Sequence, residues 1–249
     1  MKSKRMKYLR GFPALIFWLA VWWIAAGLFD NPLLLPTPPQ VFRCLLELGA
    51  TAAFWQTVLL SIGRILLGTI LAAALGVLLA VLTGQCCIAK LLLAPAMTAM
   101  QATPVASFAI LVLIWLERDW VPVLICGMMV LPVVWSSVCT GMASVDVQLL
   151  EMAKVYRVPA CRVMLRIYIP AVMPFFRSAC TNGLGLGWKA GIAAEVLTVP
   201  AISIGRRISE AKLYLLTEEL FAWSLTVITL SLLLQKIIVH LLRGRETHA

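Results

Sequence analysis

The chain has 249 residues, of which 62% are hydrophobic and only 13% are charged. Soluble domains average about 45–50% apolar and about 25% charged residues, so this composition excludes a water-soluble fold of the same size. The net charge of +10 does not indicate nucleic-acid binding, because basic residues cluster in the first ten positions and beside apolar runs. That distribution is typical of a lipid-embedded protein with basic cytoplasmic flanks.

The first apolar run covers residues 12–29 and contains no charged residue. A cleavable signal peptide is the alternative, but its apolar region is usually only about 7–15 residues long. We therefore predict an uncleaved first transmembrane helix at 12–29, preceded by a cytoplasmic tail at 1–11. The proline-rich stretch after Asp30 predicts an external loop at 30–53, in which residues 40–50 form a short interfacial helix.

The rest of the chain predicts an all-α, polytopic membrane protein with six transmembrane helices in total. A spanning helix needs about 20 mainly apolar residues. Runs of that kind lie within a five-helix core at 54–241, at about 54–83, 91–116, 120–144, 170–197 and 218–241. Residues 145–169 are too polar to span and are predicted to form a loop, as are residues 198–217. A short tail follows at 242–249.

The basic residues also predict the orientation, because cytoplasmic loops carry an excess of Lys and Arg. With a cytoplasmic N-terminus, 13 of the 21 basic residues lie inside and 5 lie outside. The other three, Arg64, Arg177 and Lys189, fall within predicted spans. Both termini are therefore predicted on the cytoplasmic side of a cell (inner) membrane.

The sequence contains none of the common catalytic or nucleotide-binding patterns. No GxxxxGK[ST], HExxH or GxSxG occurs, and the seven cysteines form no CxxC pair. We predict no catalytic residue, no metal site and no cofactor. Any energy source for this protein must be encoded in another chain.

The polar segment 145–169 carries apolar residues at roughly helical spacing together with four cations, Lys154, Arg157, Arg162 and Arg166. A short amphipathic helix of this kind lies either at the membrane surface or in the groove of a partner. The residues alone favour the surface.

The same segment resembles a loop found in the permeases of binding-protein-dependent ABC importers. That loop reads E-A-A, three residues, G, nine residues, I, one residue, L-P. This chain has Glu151-Met152-Ala153, then Arg157 at the glycine position, Ile167, and Ile169-Pro170. Arg157 departs from the pattern and puts the glycine bend in doubt, although Pro159 could supply a break.

The resemblance covers about residues 33–240, including LLLPTPPQVF, FWQTVLLSIGRILLG, QATPVASFAILVLIWL and GLGLGWKAGIAAEVL. These stretches look like the branch that imports nitrate, sulfonates, taurine and similar small solutes. The resemblance implies a type I ABC importer permease fold and alternating access driven by a cytoplasmic ATP-binding subunit. It also implies an extracytoplasmic solute-binding protein and a second permease copy. A homodimer is the economical assembly, and a related second permease is the alternative.

In that family the loop forms a coupling helix that docks in a cleft of the ATPase. Carried over by position, the coupling residues here are Glu151, Ala153, Lys154, Arg157, Pro159, Ile167 and Pro170. The resemblance implies that Glu151 and Ala153 make the contact. A carboxylate at position 151 can pair with cations of the ATPase.

Three glycines in the fifth span, Gly183, Gly187 and Gly191, repeat every fourth residue and form overlapping GxxxG patterns. Such a face lets another helix backbone approach closely. The partner is either another helix of the same chain, which is the simpler interpretation, or a second copy.

Lys189 and Glu195 lie in the same predicted span. A charge within hydrocarbon is unfavourable by at least about 2.5–3.5 kcal/mol, so such residues usually face protein or water. They lie about 120° apart around a straight helix and do not form an ideal pair. We hypothesise that both belong to the translocation pathway and that Lys189 attracts an anionic solute, whereas Arg64 and Arg177 have structural or interfacial roles.

Two other functions are alternatives to an importer permease. A secondary, ion-coupled transporter is the main alternative, although no repeat between the two halves supports it. An intramembrane enzyme lacks any nucleophile–base or metal set. The transported solute cannot be read from this chain, because selectivity in the resembled family rests largely with the binding protein.

Overall fold

The computed structural model of the protein describes residues 2–29, 31 and 33–243, and every regular element within them is helical. Asp30, Pro32 and most of the expected tail 242–249 lie outside the described residues. The helices are α1 Lys2–Phe29, α2 Pro38–Gly49, α3 Ala52–Gln85, α4 Cys87–Ala102, α5 Val105–Val112, α6 Val121–Ala143, α7 Val147–Val155, α8 Ala160–Val163, α9 Ile169–Thr198, α10 Ile204–Leu213 and α11 Thr217–Arg243. A π-helical segment, Met164–Tyr168, joins α8 to α9.

The core of the bundle is formed by α3, α6 and α9, with α6 packed extensively against both neighbours. Close packing depends on small residues at the helix crossings. A Cβ added at Gly187 of α9 would lie 2.7 Å from the Cys126 sulfur of α6, and one at Gly191 would lie 2.7 Å from Ile65 of α3. Gly183 faces Val130 of α6 in the same way. All three glycines are buried within this single chain.

The third expected span, 91–116, is not one helix. It is divided into α4 and α5, whose axes differ by 102°. The break lies at Thr103-Pro104, where both residues have extended backbone angles. Proline lacks an N–H and disfavours helical angles in the preceding residue, which explains the break. Pro95, by contrast, is accommodated inside α4.

The loop expected at 198–217 contains α10. Its N-cap is Ser203, whose hydroxyl oxygen accepts a hydrogen bond from the Arg206 N–H at 3.0 Å. The helix ends in a left-handed residue, Leu215, with the Leu216 N–H bonded to the Ala211 carbonyl. A loop was expected here because the segment is polar, but it forms a helix that lies against α9 and α11.

Among the described residues, four helices are long and apolar enough to cross a membrane, or five if the bent pair α4 and α5 forms one span. The four are α3, α6, α9 with its α8 and π-helical extension, and α11. The count does not include α1, which covers the expected first span at 12–29 and whose described apolar stretch is Ile16–Phe29. Helix α1 itself starts at Lys2, so the expected tail at 1–11 is helical from that residue onward.

The direction of the helices defines two ends of the bundle. One end contains α7 and the C-terminal ends of α3 and α6, and we call it the α7 end. The other end contains α10, the start of α3 and the C-terminal end of α9, and we call it the α10 end.

Candidate coupling and transport sites

Helix α7 projects from the bundle and buries only one residue, Ala153. It starts at the N-cap Asp146, whose carboxylate accepts a hydrogen bond from the Gln148 N–H at 2.8 Å. Glu151 and Lys154, two of the expected coupling residues, are exposed. So is a set of large apolar side chains at the α7 end: Val147, Leu149, Met152, Val155 and Tyr156. No surface of the described residues covers them.

The bend after α7 is present although Arg157 replaces the glycine of the resembled pattern. Arg157 has a φ of 52°, in the left-handed region that favours glycine. Its N–H bonds to the Lys154 carbonyl at 3.0 Å, and the Val158 N–H bonds to the Ala153 carbonyl at 2.9 Å. These two bonds form a Schellman motif, the commonest way to end a helix with a left-handed residue. The sharp turn is therefore retained with arginine at the position.

Pro159 starts the next helix, since it is the N-cap of α8. The π-helical segment that follows includes Ile167, and Pro170 lies just beyond it at the start of α9. Proline has no N–H to donate to the carbonyl four residues earlier, and here the Ile169 N–H bonds to Met164 five residues earlier. A groove of roughly 440 Å³ separates α7 from this segment, with Ala153 and Tyr168 on opposite walls.

At the α10 end, the Glu195 side chain is fully buried. The Ser61 hydroxyl donates to its carboxylate at 2.8 Å, and the Gly205 N–H donates at 3.2 Å. The Ser61 oxygen in turn accepts from the Ile204 N–H at 2.9 Å. Glu195 and Ser61 thus accept hydrogen bonds from N–H groups in the first turn of α10, which have no carbonyl partner within their own helix. A side chain at Gly205 would collide with Glu195, which explains the glycine there.

Arg64 extends this cluster to the loop before α6. Its guanidinium donates to Asp119 at 2.6 Å, to the Ile202 carbonyl at 2.8 Å and to Glu195 at 3.5 Å. The Arg64 side chain is 16% exposed and that of Asp119 is 48% exposed. We call Ser61, Arg64, Asp119, Glu195 and Gly205 the α10-end cluster. It joins α3, α9, α10 and the loop before α6 through side-chain contacts.

Lys189 and Glu195 are not brought together. Lys189 is exposed on one side of α9, whereas Glu195 points into the α10-end cluster on another side. Within the part of the chain that the structure describes, Lys189 makes no hydrogen bond or ion pair. The two residues that the sequence analysis grouped in one pathway therefore have different surroundings.

Metal-binding side chains do not gather in the described residues, where no group of three or more His, Cys, Asp or Glu residues is placed to hold an ion. The seven cysteines are all unpaired thiols. Cys126 is buried against Thr69 between α3 and α6, where it acts as a small packing residue.

Comparison with known proteins decides the family. Residues 72–245 match the family described as "Binding-protein-dependent transport system inner membrane component". The chain belongs to this family of transport permeases. The match covers most of the chain and includes α7, the bend at Arg157 and all of α9.

Individual permeases resemble the chain over most of its length. A Bacillus subtilis (strain 168) protein named "Putative aliphatic sulfonates transport permease protein SsuC" is 26% identical over 223 residues, covering 88% of this chain and 80% of that protein. The taurine transport system permease protein TauC of Escherichia coli (strain K12) is 25% identical over 224 residues, covering 87% and 81%. The bicarbonate transport system permease protein CmpB of a Synechocystis species is 26% identical over 154 residues, covering 61% and 54%. This permease is similar to members of the nitrate, sulfonate and taurine branch.

The α10-end cluster has no counterpart in the interpretation of the sequence. The sequence alone leads to the hypothesis that Glu195 belongs to the translocation pathway and that Arg64 has a structural or interfacial role, and it indicates no role for Ser61, Asp119 or Gly205. The sequence does contain a signal for the start of α10, because a serine such as Ser203 followed by a polar stretch with a charged face is a helix-start pattern. The pairing of Glu195 with Ser61, 134 residues away, has no signal in a single sequence.

Proposed function

We propose that this permease is the membrane-spanning subunit of an ATP-driven importer that carries a small anionic solute of the sulfonate type. A separate cytoplasmic ATP-binding subunit supplies the energy, and the helices alternate between inward-open and outward-open states. The family supports the permease role. The names of relatives that transport sulfonates, taurine and bicarbonate support a small, oxygen-rich solute.

The observation that carries the proposal is the exposed apolar face of α7. Met152, Val155 and Tyr156 are all more than half exposed at the α7 end. Lys154 and Arg157 flank them, so this face combines apolar contact area with charge. A rigid helix of this kind suits a cleft in a partner protein, and we assign that cleft to the ATP-binding subunit.

Movement of α7 can reach the bundle through the long helical stretch that starts after the bend at Arg157. Residues Ala160–Thr198 form one helical stretch of 39 residues through α8, the π-helical segment and α9. Helix α9 packs on α6 and α3 through its glycine face, so a push at the α7 end is transmitted to the core. The groove between α7 and the π-helical segment leaves space for that displacement.

The orientation and the assembly complete the proposal. The excess of basic residues on the α7 side supports a cytoplasmic location for that end and for both termini, with the α10 end facing the solute-binding protein. A single chain of five or six spans is half of a pathway, so two copies surround the solute, each with one ATP-binding subunit. The protein resides in the cell membrane in contact with lipid.

A charge reversal on α7 tests the docking directly. Glu151→Arg should reduce the amount of ATP-binding subunit that co-purifies with the permease by about tenfold or more, because like charges then face each other across the contact. Membrane insertion should be unchanged. The matched control is Glu47→Arg on α2, an exposed acid paired with Arg43 at 3.0 Å, far from α7 in the chain. Normal co-purification and normal uptake by the Glu151 variant would reject the docking role.

A further inference from the structure

One face of α9 is left uncovered by the other helices that the structure describes. Its exposed residues recur every three or four positions, so they form a single stripe along the helix. The stripe consists of Pro174, Ser178, Asn182, Leu186, Lys189, Ala193 and Leu197. On one side of it Trp188 donates a hydrogen bond to the Val227 carbonyl of α11, and on the other Ala190 packs in a cluster with Ala109 of α5. The stripe therefore lies between α5 and α11, and we call this exposed strip of α9 the slot.

The slot carries three polar side chains, Ser178, Asn182 and Lys189, at a depth where lipid is apolar. At about 1.5 Å per residue, Lys189 lies about 14 Å and Asn182 about 24 Å from the α10 end of α9, within a hydrocarbon layer of about 30 Å. In the described residues, the side chains of Ser178, Asn182 and Lys189 have no hydrogen-bonding partner. Polar side chains at this depth face water or protein and not lipid. The stripe must therefore be covered by something other than lipid.

Among the described residues, no acid is placed to neutralise Lys189. Glu195 is held by Ser61 and Gly205 on another side of α9. Helix α5 contains no acidic residue, and the acids of α11 lie in its first turn, about 12 Å along the helix from the level of Val227. The slot thus carries an uncompensated positive charge.

We propose that this stripe lines the translocation pathway and that Lys189 is its binding site for the anionic headgroup of the solute. Asn182 and Ser178 offer further polar contacts toward the α7 end. This inference rests on the proposed function, because it places the stripes of two copies around one pathway. A dry contact between two copies would bring the two Lys189 ammonium groups toward each other, which is unfavourable. A wet slot that holds an oxyanion avoids that repulsion.

Thiol accessibility tests the slot without knowledge of the solute. In a variant whose seven native cysteines are replaced, Asn182→Cys is reacted in the assembled complex with a sulfonate-bearing methanethiosulfonate and with its trimethylammonium counterpart. The sulfonate reagent should react preferentially, and adding Lys189→Gln should reduce that preference at least about fourfold, because the two reagents carry opposite charges about 10 Å from position 189. The control is Ile70→Cys on α3, an exposed apolar position at a similar level of the bundle.

Two results would overturn the inference. One is a thiol at position 182 that reacts no faster than the Ile70→Cys control. The other is a reagent preference that the Lys189→Gln substitution leaves unchanged. Ser178→Cys replaces Asn182→Cys if the latter fails to assemble. Failure of the proposed function is seen separately, as absence of ATP-dependent uptake of ethanesulfonate, taurine and bicarbonate by the unmodified complex.

Discussion

At the α10 end of this permease, the charged and polar groups of the cluster bind one another. Glu195 is surrounded by Ser61, Arg64 and the start of α10. At the α7 end the opposite holds, since α7 presents exposed apolar side chains and charges that residues 2–29, 31 and 33–243 do not cover. The α10 end is therefore stabilised by contacts within the chain, whereas the α7 end has the exposed surface that the proposed docking to a separate protein requires. Substitutions at the first end should therefore affect the free energy of unfolding more than substitutions at the second.

The largest effect is expected for Glu195→Ala. It leaves the Ser61 hydroxyl and the Gly205 N–H without their buried acceptor and removes one carboxylate from Arg64. Breaking a buried charged network of this kind is unfavourable by about 3–5 kcal/mol. Thermal unfolding in detergent should show a large fall in Tm.

The control for Glu195→Ala is Glu210→Ala, also in the α10 region. Glu210 pairs with Arg206 at 2.6 Å, but both side chains are about one-third exposed or more. Such a pair is worth at most about 1 kcal/mol. Equal losses of stability for the two variants would contradict the importance of the buried cluster.

The next effect concerns the helix crossings between the two ends. Gly187→Ala should destabilise the bundle by about 1–3 kcal/mol, because the new methyl would lie 2.7 Å from the Cys126 sulfur and 2.9 Å from Val130. Gly63→Ala on α3 has nothing within 4 Å and should be neutral or stabilising. Chemical unfolding of the two variants measures the difference. A Gly187 variant as stable as the Gly63 variant would mean that α9 does not depend on this close approach.

A smaller effect is expected at the bend after α7. Arg157→Gly and Arg157→Ala both remove the charge, but only glycine adopts the left-handed angle without strain, a difference of about 1 kcal/mol. The Val158 amide, bonded to Ala153, should exchange its hydrogen about fivefold more slowly in the glycine variant. Equal exchange would show that the left-handed turn is not under strain at this residue.

The smallest effect is expected for Asp119→Asn. The carboxylate of Asp119 is half exposed, and Arg64 keeps its contacts with Ile202 and Glu195. The loss of stability should be below about 1 kcal/mol. Glu117→Gln, two residues away on the same loop, is the control in a thermal unfolding series. A fall in Tm as large as that of Glu195→Ala would place the centre of the cluster at Asp119 instead.

The long apolar helices could be predicted from the sequence because their signal is local. Helices α3, α6, α9 and α11 begin within about three residues of the expected spans. The break between α4 and α5 was harder to predict, since Pro95 continues a helix and Pro104 ends one. The outcome depends on neighbouring helices that a local pattern does not include.

The functional sites were predictable to different degrees for the same reason. The α7 segment is contiguous, so its amphipathic pattern and its resemblance to the family loop were visible in the sequence. The α10-end cluster joins residues from three distant parts of the chain, and α10 itself is polar enough to resemble a loop. The bend at Arg157 could not be deduced because arginine rarely adopts left-handed angles. In the structure, the two hydrogen bonds of the Schellman motif stabilise this bend.

The central claim is that the α7 end is driven by a separate ATP-hydrolysing subunit. The most direct measurement is solute uptake into proteoliposomes that contain the permease with its binding protein, in the presence and absence of the ATP-binding subunit. Uptake against a gradient should require both that subunit and ATP, and should be lost with Glu151→Arg. Accumulation by the permease alone, driven by an ion gradient, would contradict the claim and indicate a secondary transporter.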